Sequence, residues 1–168
     1  MNRLIEVLKG KTGYLLGFAV CFGTVALALV IQTQYNLDPC PLCITQRIIF
    51  MAMGVVFLVA AFIPPAHVLK KIFTLLQVLV GLGGAGVAIR HWYLQANKES
   101  MIADCGVGFD YMFENFPLEK AFKLLFRGTG DCAAIDWTLL GLTLPQLGLI
   151  GFVGFACYAI YLLKLNAR

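Results

Sequence analysis

Two thiols and a guanidinium stand close together in the stretch DPCPLCITQR, residues 38–47. Cys40 and Cys43 form a C-x-x-C pair, and Arg47 follows four residues after Cys43. Such a pair closes a tight ring whose disulfide is tunable and often redox-active. Pro39 and Pro41 bracket Cys40; each fixes φ and removes an amide donor. A helix should therefore start at about Leu42 or Cys43 and run on as CITQRIIFMAMGVVFLVAAF. Cys43 then lies in the first turn, where unpaired amides and the helix dipole favour an anion. Arg47 sits on the same face one turn further on. Both features favour Cys43 as a thiolate. A thiolate, a cation and access to lipid together suit a lipid-soluble electron acceptor. A quinone fits, because its carbonyl oxygens gain negative charge on reduction and Arg47 can stabilise that charge. The plainer alternative is a helix-end arginine that snorkels to the headgroups as an anchor.

The elements that position these residues follow from composition. The 168-residue chain is 60% hydrophobic and 13% charged, far from the balance of a soluble domain. Four stretches carry no Asp, Glu, Lys or Arg: Thr12–Leu37, Ile48–Leu69, Ile72–Ile89 and Trp137–Leu163. About 20 helical residues cross a hydrocarbon core, so each stretch is long enough to span it. Backbone amides in lipid need internal partners, and four short runs cannot close a barrel. The expectation is an all-α membrane protein. It is a four-helix transmembrane bundle forming a single domain, with helices at about 14–32, 43–63, 72–90 and 145–163 and outer loops at 33–42 and 91–144. No small-residue cleavage site stands out before Gln32, so the first run reads as a span and not as a cleaved signal.

Basic residues set the orientation. Arg3, Lys9, Lys11, Lys70, Lys71, Lys164 and Arg168 face a single acid, Glu6, in the terminal segments and the turn after the second span. The loop 90–136 carries more acids than bases. Both termini therefore belong on the cytoplasmic side, with the cysteine-bearing loops outside. The net charge of +4 is a topology signal and gives no reason to expect nucleic acid.

Six cysteines sort by depth. Cys21 and Cys157 fall inside apolar runs and read as small inert side chains. Cys40, Cys43, Cys105 and Cys132 lie at or beyond the outer boundary, where disulfides persist if that side is oxidising. Of three possible pairings, spacing favours Cys40–Cys43 and Cys105–Cys132. Closing the longer loop is worth roughly 3–4 kcal/mol in the chain-entropy model. Two purely structural bridges are the alternative, but a ring as short as Cys40–Cys43 restricts the unfolded chain little. A zinc site would want a second close Cys or His pair, and the only histidines are His67 and His91, so no metal is expected.

The third span contains Gly81, Gly83, Gly84 and Gly86, which read first as close helix packing and second as room for a flat ring. It ends in RHWYLQ, where Trp92 and Tyr93 read as an interface belt. His91 is either a boundary residue or a proton donor beside the acceptor. In the long outer loop, FPLEKAFKLLF at 116–126 has the spacing of a short amphipathic helix lying on the bilayer surface. RGTGDC follows as a flexible turn, which would put Cys132 on an exposed, movable arm.

CPLCITQR, DCGVGFDYM, ENFPL and above all GDCAAIDWTLLGLTLPQ resemble the bacterial disulfide bond formation protein B family, DsbB. The resemblance covers nearly the whole chain, with four helices and both cysteine pairs in order. It implies an inner-membrane thiol:quinone oxidoreductase. The implied partner is a periplasmic thioredoxin-fold dithiol oxidase of DsbA type, oxidised by Cys105–Cys132, with Cys105 as the sulfur attacked. Cys40–Cys43 then reoxidises that pair through a mixed disulfide between Cys132 and Cys40. The electrons pass to membrane quinone: ubiquinone, or menaquinone under anaerobic conditions. By the same resemblance Cys43 is the quinone-side thiolate, Arg47 bears on the quinone, and His91 matches a histidine near it in some members. Two other classes remain for comparison: a four-helix scaffold with structural bridges, and a metal transporter, which would need ligands lined through the bundle.

Overall fold

In the computed structural model, residues 10–37, 39–64, 68–97, 117, 130–133, 135 and 137–166 are described below. Four of the helices are long and apolar enough to cross a membrane. They are α1 (Lys11–Tyr35), α2 (Pro41–Phe62), α3 (Val68–Ala96) and, after a short helical turn α4 (Gly130–Ala133) and a two-stranded hairpin, α5 (Leu144–Asn166). The four-span all-α architecture expected from the apolar runs is the one observed.

Each boundary has a local cause. α1 stops at Asn36, whose left-handed φ of 48° lets its amide reach back to the Gln32 carbonyl. α2 begins earlier than expected, with Pro41 in the first helical position, where its missing N–H costs nothing. Cys40 takes the capping position itself, its sulfur accepting the Cys43 amide at 3.3 Å. Pro64 lies just beyond the far end of α2. α3 is the largest departure: it continues to Ala96, six residues past the expected end. That extra length lifts His91 and Leu94 above the third span and against the start of α2.

The segment before α5, expected as plain loop, holds a tight hairpin. β1 (Thr138–Leu139) pairs antiparallel with β2 (Leu142–Thr143), Thr138 opposite Thr143 and Leu139 opposite Leu142. The two turn residues, Leu140 and Gly141, both have positive φ, the geometry a two-residue hairpin demands. α5 then starts at once. Gln146 accepts the Thr143 amide at 2.8 Å, one half of a capping box written in the sequence as TLPQ.

Packing runs in the order α1, α2, α3, α5 around the bundle, whereas α1 and α5 approach each other at few points. The core is built from Tyr14, Cys21, Met53, Phe57, Phe152 and Leu162 with their neighbours. In lipid this close fit, not escape from water, holds helices together. The third-span glycines divide by face. A Cβ on Gly84 would meet the Phe152 ring at 2.5 Å, and one on Gly81 would meet Ala156 at 3.2 Å. Gly83 and Gly86 face open space. The glycines thus serve the α3–α5 contact. At the end of the bundle remote from Cys40, the buried Lys70 ammonium donates to the Ile63 carbonyl at 3.2 Å and lies over the Tyr14 ring. The Tyr158 hydroxyl closes the α1–α5 gap there by donating to the Gly13 carbonyl at 2.8 Å.

Candidate functional site

Cys40 and Cys43 lie at the outer start of α2, their sulfurs 3.0 Å apart and hydrogen-bonded. The Cys40 sulfur has two further neighbours. His91 Nε2 of α3 stands 3.6 Å away, and Cys132 of α4 hydrogen-bonds to it. These bonds, to Cys132 first and Cys43 second, together with burial push the Cys40 thiol above its ordinary range. Around the sulfurs, Leu42, Val87 and Leu94 form a small apolar cluster separate from the main core.

Cys132 departs from its sequence reading. Expected on an exposed arm, it is fully buried, packed with Ala133 against the start of α2 and the end of α3. A thiol is one of the least polar groups that can occupy such a pocket. Its backbone also hydrogen-bonds the His91 ring, which fastens the turn to α3. Cys105 and the amphipathic stretch 116–126, apart from Pro117, lie outside the described residues, and so does the expected Cys105–Cys132 bridge.

On the opposite side, Cys43 faces a cavity of about 220 Å³. Its walls are mostly apolar, from Leu27 and Ile31 of α1, Phe50 of α2 and Pro145 of α5, with Trp137 and, from β1, Leu139. Polar groups come from Cys43, Gln46, Arg47 and His91, with the Thr24 hydroxyl lower down. An apolar cavity with a few convergent polar groups is the usual form of a small-molecule site. Arg47 does more than anchor: one of its guanidinium nitrogens donates to the Gln32 side-chain oxygen across to α1. His91 is buried, at 2% exposure, and touches both the Cys40 sulfur and Gln46, so it is not a boundary residue.

The cavity continues along α1 and α5. Thr24 and Gly151 line both it and a wholly apolar groove of about 410 Å³ in the gap between α1 and α5. Gly17, Gly154, Val20 and Phe155 form the groove walls.

Cys40, Cys43 and His91 also bring three ligand-type atoms within 4.8 Å of one another. Two thiolates on one tetrahedral zinc stand roughly 3.8 Å apart, given Zn–S bonds of about 2.3 Å. The 3.0 Å sulfur separation fits a hydrogen-bonded thiol pair instead. Cys21 is buried in the main core and Cys157 lies exposed on the outer surface of α5, both remote from this site.

Sequence reasoning named Cys40, Cys43, Arg47, His91 and Cys132, and the fold gathers all five. It missed Gln32, Gln46, Gly148, Trp137 and Leu139. Gln46 carried one readable signal, as an uncharged polar residue buried near the start of an apolar span. Gln32 and Gly148 carried none, because their roles depend on how α1 and α5 meet α2.

Comparison with known proteins agrees with this arrangement. The family model described as disulfide bond formation protein DsbB matches residues 10–162. Disulfide bond formation protein B of Methylobacillus flagellatus is 55% identical over 145 residues, covering 86% of this chain and 87% of that protein. The Methylococcus capsulatus protein of the same name is 45% identical over 84% of this chain and 87% of its own length. That of Nitrosococcus oceani is 42% identical over 82% and 81%. With four membrane-spanning helices and relatives matched along most of their length, the chain belongs to the disulfide bond formation protein B family.

Proposed function

We propose that the protein is a thiol:quinone oxidoreductase of a bacterial inner membrane, with both termini cytoplasmic and the cysteine loops periplasmic. It draws electrons from a periplasmic DsbA-type dithiol oxidase and delivers them to membrane quinone, ubiquinone or, without oxygen, menaquinone. One observation carries the reading. The Cys40–Cys43 pair meets Cys132 on one side, while on the other Cys43 opens on an apolar cavity shared with Arg47.

The residues present suit a quinone. The cavity offers flat apolar walls, donors at Arg47 and Gln46, and a continuous groove able to take an isoprenoid tail. Bound there, a quinone would supply an acceptor for two electrons and two protons.

The chain's own steps are thiolate exchanges. The partner's thiolate attacks Cys105, and the Cys132 sulfur leaves with the electron pair of the broken bond. Cys132 then attacks Cys40, forming a Cys40–Cys132 bond and releasing Cys43 as the thiolate. That order places the new anion at the start of α2, on the face of Arg47, where the amides and the cation stabilise it.

The test is to mix purified protein with a reduced thioredoxin-fold partner and a soluble quinone and to follow quinone absorbance. Turnover is expected in the native chain and its complete loss in Cys40→Ala and Cys43→Ala. Persistent turnover in either variant overturns the reading.

A further inference from the structure

Gln46 is buried at 7% exposure, one residue before Arg47, and its amide lies against two groups. Its Nε2 stands 3.1 Å from His91 Nδ1. Its Oε1 occupies the space beside Gly148 of α5, where an added Cβ would sit only 2.5 Å away. A side chain at 148 would therefore displace the amide, and glycine leaves it room.

The donor inventory fixes the rest. With the amide turned this way its nitrogen donates, so Nδ1 accepts and carries no proton. The neutral ring then holds its proton on Nε2, the nitrogen 3.6 Å from the Cys40 sulfur.

We propose that Gln46, seated by Gly148, is a positioning residue that holds His91 as the Nε2–H tautomer, making the ring a hydrogen-bond donor to Cys40 and not a base. This rests on the thiol exchange proposed above. The partner's second thiolate closes the partner's own disulfide and releases Cys105 as a thiolate; when that thiolate attacks Cys132 in the Cys40–Cys132 intermediate, a Cys105–Cys132 bond forms and the Cys40–Cys132 bond breaks. The electron pair of the broken bond stays on the Cys40 sulfur. His91 Nε2–H hydrogen-bonds to that pair and keeps its proton; the opposite tautomer would present a lone pair and repel it.

Ring nitrogen NMR of histidine-labelled, reduced protein in detergent tests this directly, with His67→Gln assigning the only other histidine. The native protein should show His91 protonated on Nε2. Gln46→Glu, of the same shape but accepting only, should move the proton to Nδ1 or yield the doubly protonated ring. The same variant should slow partner oxidation several-fold and add a new limb to the rate profile between pH 5 and 8. Among the described residues, Cys40, Cys43 and Cys132, together with Arg47 across the cavity, are the other titratable or charged groups facing the ring, and they are common to both proteins. An Nδ1–H signal in the native protein, or an unchanged spectrum in Gln46→Glu, overturns the proposal. Absence of quinone turnover in the native protein would instead sink the proposed function and leave the tautomer result standing.

Discussion

The Cys40 sulfur accepts the backbone amide of Cys43 at 3.3 Å, so the residue that caps α2 is also one of the two thiols of its C-x-x-C pair. A cap satisfies one of the orphan amides of the first turn. Cys40 adds to this a sulfur contact to Cys43, the neighbouring His91 ring and a hydrogen bond with Cys132. The end of α2 is thus held by atoms that exchange bonds during the proposed reaction, and its stability is tied to redox state and pH.

The first prediction concerns that pH dependence. Hydrogen bonds to Cys132 and Cys43, with burial, raise the Cys40 pKa above the ordinary thiol value of about 8.5. A raised pKa means that the fold favours the protonated sulfur. Its stabilisation is full below about pH 8.5 and is lost as pH rises beyond that. The melting temperature of the fully reduced protein in detergent should therefore decline from about pH 8.5 upward more steeply than that of Cys40→Ser. Parallel curves for the two proteins would show that Cys40 is not the group responsible.

Arg47 offers a second. Its bond to Gln32 holds the guanidinium toward α1, inside the cavity that Cys43 faces. Arg47→Ala should raise the quinone KM at least about tenfold, roughly 1.4 kcal/mol, while both disulfides still form. Gln32→Ala leaves the charge in place but frees its orientation, and an increase of about threefold is expected. Steady-state kinetics with a soluble quinone, alongside thiol counting, separates these effects. Equal kinetics for Gln32→Ala and the native protein would mean that the α1 contact does not orient Arg47.

What the sequence made legible was local or compositional. Four uncharged runs gave the spans, and the Pro-Cys-Pro-Leu-Cys order placed a helix start at the thiols within two residues. The register of Arg47 with Cys43 depends only on helical period and held. Cys132 was misread as exposed because its surroundings are built by Leu42 and Leu94 from elements remote in sequence. Gln46 and Gly148 are 102 residues apart, and neither is unusual alone. Their contact exists only because α5 packs beside α2 at that level. The hairpin at 138–143 was hidden for a different reason: its turn uses Leu140 at positive φ, which is not a residue that signals a two-residue turn.

A third prediction separates packing glycines from idle ones. Gly84→Ala places a methyl 2.5 Å from the buried Phe152 ring, which also stacks on Phe50 at 4.1 Å. Overpacking of this kind costs about 1–3 kcal/mol. Gly83→Ala meets nothing within 4 Å and should be neutral or slightly stabilising through helix propensity. Unfolding in mixed micelles by SDS titration measures both. A neutral Gly84→Ala would show that α3 and α5 have freedom to part.

The last prediction probes the groove between α1 and α5. Its walls at Gly17, Gly151 and Gly154 are low because those residues lack side chains, and it joins the cavity at Thr24 and Gly151. Gly154 has open space where a Cβ would stand, so Gly154→Leu should fold while partly filling the groove. On the proposed function, a quinone head group would need only the cavity beside Cys43, whereas a long isoprenoid tail would need the groove as well. The variant should therefore lose at least about fivefold in kcat/KM with a long-tailed quinone and keep near-native activity with a tailless one. Fivefold corresponds to roughly 1 kcal/mol, about the transfer free energy of a little more than one buried methylene. That is a modest loss for several displaced tail carbons. An equal fall with both quinones would mean that the substitution distorts the head-group cavity through Gly151, and no fall with either would place the tail elsewhere along the bundle.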